Sequence, residues 1–182
     1  MKTLVIHPSD PSTEFLKEIY LGRGWTINND VAGSTKKVAD QIKEHDRIIM
    51  MGHGNSRGLF YTSINVGLVD LLKEKQCICI WCNADMFVRE HGLTGFYTGM
   101  FISEVSEAAY YGIKVSQNMI DRSNRDFAFE MRLCLDHDDP KLIYEEIKSN
   151  YVGVHEVYQF NNDRLYYRDG KSVLKDMKLL IN

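Results

Sequence analysis

The sequence predicts an α/β domain: a mostly parallel, doubly wound sheet of about four to six strands flanked by helices. Three observations predict it. Residues 47–51 and 76–81 are continuous apolar runs without alternation, as strands covered on both faces require. Segments with helical spacing fall between such runs. The chain of 182 residues, 44% hydrophobic and 26% charged, has the composition of one globular domain, 1–182.

The elements follow in order. Residues 2–7 read as a strand and 8–12 as a loop. Ser12 opens a helix that carries Phe15, Leu16 and Ile19 and ends at Gly22 and Gly24. Residues 25–27 form a short strand. Ser34 is placed to N-cap a helix with Val38 and Ile42 inward. After the strand at 47–51, residues 64–75 carry Leu68, Val69, Leu71 and Leu72 at helical spacing. The strand at 76–81 precedes a short helix at 84–90. A further strand is expected toward the end of 95–102, then a helix over 103–112. Residues 1–113 thus hold the core sheet.

The texture changes in 114–182, expected as helices plus a hairpin packed on that core. Residues 118–135 read as a long helix. Asp139-Pro140 starts another, with Leu142, Ile143 and Ile147 as apolar residues. Residues 156–160 and 164–168 flank Asn161, Asn162 and Asp163, a hairpin signal. A tail with Leu174, Met177 and Leu180 follows.

Charge and composition exclude several classes. The formal net charge is -3 and no basic cluster stands out, so neither nucleic acid nor membrane is an expected partner. No apolar run is long enough for a signal segment or a span. The run at 3–6 is cut off by His7, Pro8 and Asp10, and a cytoplasmic location is expected. No glycine-rich phosphate loop is present, and no cofactor is expected. Cys77, Cys79 and Cys134 read as small buried residues. Cys79-Ile-Trp-Cys82 lacks the second pair that a structural zinc site wants, so no metal is expected. Only His7, His53 and Cys82 offer a conceivable three-ligand set.

In an open parallel sheet, ligands bind beyond the carboxyl ends of the strands. Those ends carry the polar chemistry here, and the strand interiors carry almost none. The first offers His7, Ser9 and Asp10. The strand at 47–51 runs into Gly52, His53, Gly54 and Asn55. The strand at 76–81 runs into Cys82, Asn83 and Asp85. The strand near 100 runs into Ser103 and Glu104. Glycines beside His53 permit a sharp turn and close approach of a ligand. Cys82 is the cysteine off the alternation of Cys77, Cys79 and Trp81. At a helix N-terminus its thiolate would be favoured by the dipole and its N–H would help hold an oxyanion. Asp10, Asn83 and Asp85 also suit turns and caps, and the face with Glu104, Glu107 and Tyr111 also suits solvent. Tyr97, Tyr110, Tyr111, Tyr158, Tyr166 and Tyr167 suit either a pocket wall or packing.

A hydrophobic strand ending in His53-Gly54, followed by a core strand ending in Cys82, resembles the caspase-like cysteine peptidase fold. That group includes caspases, clostripain, gingipains, separases and CHAT domains. The resemblance implies a His53 base and a Cys82 nucleophile acting on a peptide or other acyl compound. The Gln-Ala-Cys signature of caspases is absent, and Trp81 stands where many members carry a small or acidic residue. A second reading therefore stands beside the first: a non-catalytic protein holding a small polar ligand, such as a nucleotide or signalling metabolite, in the same cleft. The oligomeric state is not legible.

Overall fold

A computed structural model describes residues 1–30, 35–60 and 66–170. Eight strands and seven α-helices are assigned among them. The strands are β1 (Thr3–Ile6), β2 (Thr26–Asn28), β3 (Arg47–Met51), β4 (Gly54–Asn55), β5 (Gly58–Leu59), β6 (Gln76–Ile80), β7 (Thr94–Thr98) and β8 (Leu165–Arg168). The helices are α1 (Thr35–Lys43), α2 (Val66–Leu72), α3 (Ala84–His91), α4 (Val105–Tyr110), α5 (Gln117–Cys134), α6 (Pro140–Asn150) and α7 (Glu156–Asn162). A 3-10 helix, Pro11–Ile19, follows β1.

Six strands form one sheet in the order β2-β1-β3-β6-β7-β8, parallel except for β8. The predicted fold class is therefore the observed one. Cross-strand register explains the apolar runs. Val5, Ile49, Ile78 and Phe96 lie in one row across four strands. All four face a core shared with the 3-10 helix and with α5, α6 and α7. The next row, Ile6, Met50, Cys79 and Tyr97, faces the opposite core under α1, α2 and α3. Side chains alternate across a strand, so two buried faces need apolar residues at every position. In the 3-10 helix the buried residues are Thr13, Leu16 and Ile19. Their spacing of three matches the three residues per turn of that winding, which aligns them on one ridge.

The chain leaves β1 in one direction, to β2, while β3 lies on β1's other side and the order continues away from it. Strand order reverses at β1/β3, and the crevice beyond their carboxyl ends is the expected ligand position in such sheets.

Two expectations are corrected. The hairpin over 156–168 does not form. Residues 156–162 are α7, and only 165–168 form a strand, which pairs antiparallel with β7. The asparagines that signal a turn are instead buried hydrogen-bonding groups. Asn161 Oδ1 accepts from Ile102 N (2.7 Å), and its Nδ2 donates to Ile102 O (2.9 Å). Asn162 Nδ2 donates to Tyr151 O (2.8 Å). The strand expected late in 95–102 lies early, at 94–98, because its register with β6 runs from Thr94 opposite Gln76 to Tyr97 opposite Cys79. Ser103 and Glu104 consequently lie beyond a turn, at the start of α4, rather than at a strand end. The segment after His53 is a small antiparallel hairpin, β4–β5. The Ser34 cap, residues 64 and 65, and the tail with Leu174, Met177 and Leu180 lie outside the described residues.

Gly95 marks where the sheet tolerates no side chain. Its φ is +131°, and a Cβ there would lie 1.7 Å from Cys77 O. Gly92, at φ +67°, has no neighbour within 4 Å. Gly95→Ala is expected to lower unfolding free energy by about 3 kcal/mol or more, and Gly92→Ala by about 1 kcal/mol. Urea denaturation of both variants checks the difference; equal losses would contradict the register.

Candidate active site

β3 and β6 are neighbours, so the residues that follow them emerge side by side. His53 and Cys82 line one small cavity of about 20 Å³, together with Gly52, Trp81, Phe101 and Ser103. That is room for about one water. A larger groove of about 520 Å³ adjoins it, and Ser103 and Phe15 line both.

His53 is held from the β1 side. Asp10 caps the 3-10 helix: its Oδ1 accepts from Ser12 N at 2.9 Å and from Ser12 Oγ at 2.6 Å. These hydrogen bonds, with Ser12 Oγ first, hold the Asp10 carboxyl below its usual range. An ionised carboxylate only accepts, so the Ser12 hydroxyl proton goes to Asp10. Ser12 Oγ also lies 2.6 Å from His53 Nε2. With its proton committed, Ser12 accepts from His53 Nε2–H. In the neutral imidazole this leaves Nδ1 with the lone pair. Asp10 Oδ1 itself is 3.9 Å from Nε2, so Ser12 bridges the two.

Cys82 is engaged elsewhere. Its thiol donates to Phe101 O at 3.4 Å, with Glu107 Oε1 at 3.8 Å. Burial, reinforced by the Glu107 carboxylate, pushes the thiol up to about 11. The resting side chain is therefore a thiol, and the helix-dipole activation expected for this position is outweighed by desolvation and a nearby anion. Glu107 is fixed as the N3 residue of α4. Its Oε2 accepts from Ser103 N (2.7 Å) and Glu104 N (3.1 Å). No hydrogen bond joins His53 to Cys82 among the described contacts; each is held by a different partner.

The remaining candidates divide. His7 is 2% exposed, with Nδ1 3.0 Å from Tyr20 Oη and Nε2 3.2 Å from Thr13 Oγ1. Burial lowers it from 6.5 to about 4, so it is a neutral core histidine whose nitrogens are both taken. Ser9 is exposed. Gly54 does not serve close approach of a ligand, since a Cβ there would lie 2.3 Å from the Trp81 ring. Asn55 closes the β4–β5 turn, its Oδ1 accepting from Arg57 N and its carbonyl from Trp81 Nε1. Asn83 adopts a left-handed conformation (φ 63°) ahead of α3, and Asp85 sits in that helix's first turn. Ser103 and Glu104 border the larger groove. The tyrosines divide: Tyr97 stacks on Tyr166 at 5.7 Å and Tyr158 is 3% exposed in the core, whereas Tyr110 and Tyr111 are exposed. No group of three His, Cys, Asp or Glu side chains is placed to hold a metal among the described residues. No described helix is long and apolar enough to cross a membrane.

Sequence reasoning missed Ser12 and Glu107. Ser12 was legible only as a helix opener. Glu107 carried one usable signal, an acid three residues beyond a helix N-cap, which marks a side chain folded back on the backbone. No family model, curated protein or solved structure matches the chain.

At pH 7 Cys82 is expected to alkylate with iodoacetamide far more slowly than a free thiol. Glu107→Gln removes an anion and should speed labelling, as followed by peptide mass spectrometry; an unchanged rate would contradict the electrostatic role given to Glu107. His7 gives a pH prediction. Its folded value lies below its unfolded one, so its contribution is present above 6.5 and lost as pH falls through about 4. That loss is on the order of 3 kcal/mol. Urea unfolding at neutral and acid pH should show His7→Gln losing part of the acid sensitivity of the wild type.

Proposed function

We propose that the chain is a cysteine hydrolase of caspase-like type, acting on a peptide or other acyl substrate, with Cys82 as nucleophile and His53 as base. The observation that carries this reading is that His53 and Cys82, from the ends of adjacent parallel strands, line one cleft that adjoins a groove of about 520 Å³. Reversal of strand order at β1/β3 supports it, because His53 and its Asp10–Ser12 support lie at that switch point.

The chemistry follows from the groups present. His53 Nδ1 takes the Cys82 thiol proton as sulfur attacks the carbonyl carbon, forming a C–S bond and an oxyanion. The backbone N–H groups at Cys82 stabilise that oxygen. Collapse expels the leaving amine or alcohol, which takes the proton from His53. Water, deprotonated by His53, then cleaves the thioester, releasing the acid and restoring the thiol. Asp10 and Ser12 position the imidazole through Nε2.

In the resting arrangement the proton sits on sulfur and the thiol faces Phe101 O and Glu107. Substrate must therefore draw Cys82 toward His53 before transfer, a tightening common between free and bound sites. The same contacts favour the second reading, a protein that binds a small polar ligand in this cleft without turnover.

A panel of fluorogenic peptide amides and esters separates the two. Cys82→Ala is expected to abolish hydrolysis while retaining the wild-type circular dichroism spectrum. Ser12→Ala is expected to lower kcat by about tenfold to a hundredfold with little change in KM. Full activity in Cys82→Ala would end the hydrolase reading.

A further inference from the structure

The turn that carries Cys82 is tied, residue by residue, to the end of β7 and the segment after it. The register of β6 with β7 runs as far as Cys79 opposite Tyr97. Just past the end of β6, at Trp81, the main-chain ladder gives way to a side chain. Thr98 Oγ1 accepts from Trp81 N at 3.1 Å and donates to Trp81 O at 2.8 Å. Thr98 is fully buried, and its one hydroxyl proton is committed to Trp81 O. Trp81 N has no other acceptor among the described residues. The next two residues follow suit: Cys82 Sγ donates to Phe101 O at 3.4 Å, and Asn83 N donates to Gly99 O at 3.0 Å.

The side chain of Trp81 reaches the other way, to the hairpin that follows His53. It is buried, and its Nε1 donates to Asn55 O at 3.1 Å. Its ring occupies the space that a Cβ on Gly54 would take. Phe87 of α3 meets the ring edge to face at 5.6 Å. Trp81 is therefore fixed through its backbone to β7 and through its indole to β4. It is bonded directly to Cys82, and β4 begins at the residue after His53. His53 and Cys82 share no hydrogen bond among the described contacts. Beyond the pairing of β3 with β6, Trp81 is thus a rigid link between them.

We propose that Trp81 is a positioning residue, locked by the Thr98 hydroxyl, that sets the place of Cys82 relative to the His53 hairpin. Its effect on turnover rests on the hydrolase reading; its effect on the Cys82 thiol does not. Thr98→Val keeps the shape of the side chain and removes both hydrogen bonds, which leaves Trp81 N buried without an acceptor. The turn then shifts, and Cys82 leaves its contacts with Phe101 O and Glu107. Thr98→Ser keeps the hydroxyl and with it the lock. Trp81→Phe keeps an aromatic ring beside Gly54 and removes the N–H that binds Asn55 O.

These three variants of the full chain test the proposal, each measured where its circular dichroism spectrum matches the wild type. The first readout is the pH profile of Cys82 alkylation by iodoacetamide, followed by peptide mass spectrometry. The second is kcat and KM on the fluorogenic panel. Thr98→Val is expected to alkylate about tenfold faster at pH 7, with the profile moved to lower pH. Its kcat is expected to fall by about tenfold to a hundredfold with KM little changed. Thr98→Ser should return both readouts to the wild-type values. Trp81→Phe should move both in the direction of Thr98→Val, and it keeps the test valid if Thr98→Val does not fold. Alkylation that is unchanged or slower in Thr98→Val or in Trp81→Phe overturns the proposal, as does a Thr98→Ser protein that behaves like Thr98→Val. Faster alkylation restored by serine, with no hydrolysis by the wild type, sinks the hydrolase reading alone. Hydrolysis by the wild type with kcat unchanged in Thr98→Val and Trp81→Phe sinks the positioning role alone.

Discussion

Everything at the site depends on the pairing of β3 between β1 and β6. Each residue of β3 is buried, and the strand is hydrogen-bonded to parallel neighbours on both sides. Register is strongly specified under such conditions, because a one-residue slip would exchange the two faces. The rows Val5–Ile49–Ile78 and Ile6–Met50–Cys79 therefore end level with one another. That is why the loop after β1, the turn after β3 and the turn after β6 reach the same crevice, bringing Asp10, Ser12, His53 and Cys82 within one neighbourhood.

Within that frame, two carboxylates act in opposite senses. Asp10, working through Ser12, holds the imidazole by Nε2 and leaves the lone pair of the neutral ring on Nδ1. Glu107 lies beside sulfur and keeps the proton there. With the Phe101 and Glu107 contacts in place, the arrangement favours the protonated thiol. Ser103 connects this balance to the groove, since its backbone N–H binds Glu107 and its carbonyl binds Asn124.

The sheet was legible because buried parallel strands leave an unmistakable apolar run, and residues 47–51 and 76–80 carry one. That His53 and Cys82 come side by side was legible for the same reason: they follow those two runs, which pair as β3 and β6. The C-terminal region was not. Asn161 and Asn162 have the composition of a turn, yet their amides satisfy the backbone of Ile102 and the Tyr151 carbonyl. No local pattern reveals a partner 59 residues away. The contacts of Ser12 with His53 and of Glu107 with Cys82 were illegible for that reason too, since each joins separate elements. His7 shows the converse. It stands at a strand end with the chemistry of a ligand, but Tyr20 and Thr13 occupy both nitrogens.

The most direct test of the central claim is the acylation of Cys82 itself, followed by intact-protein and peptide mass spectrometry with an activated ester as donor. The account predicts a thioester on Cys82 that forms about a hundredfold or more faster in the wild type than in His53→Ala. Equal rates in the two proteins, or acylation that falls elsewhere than Cys82, would contradict it.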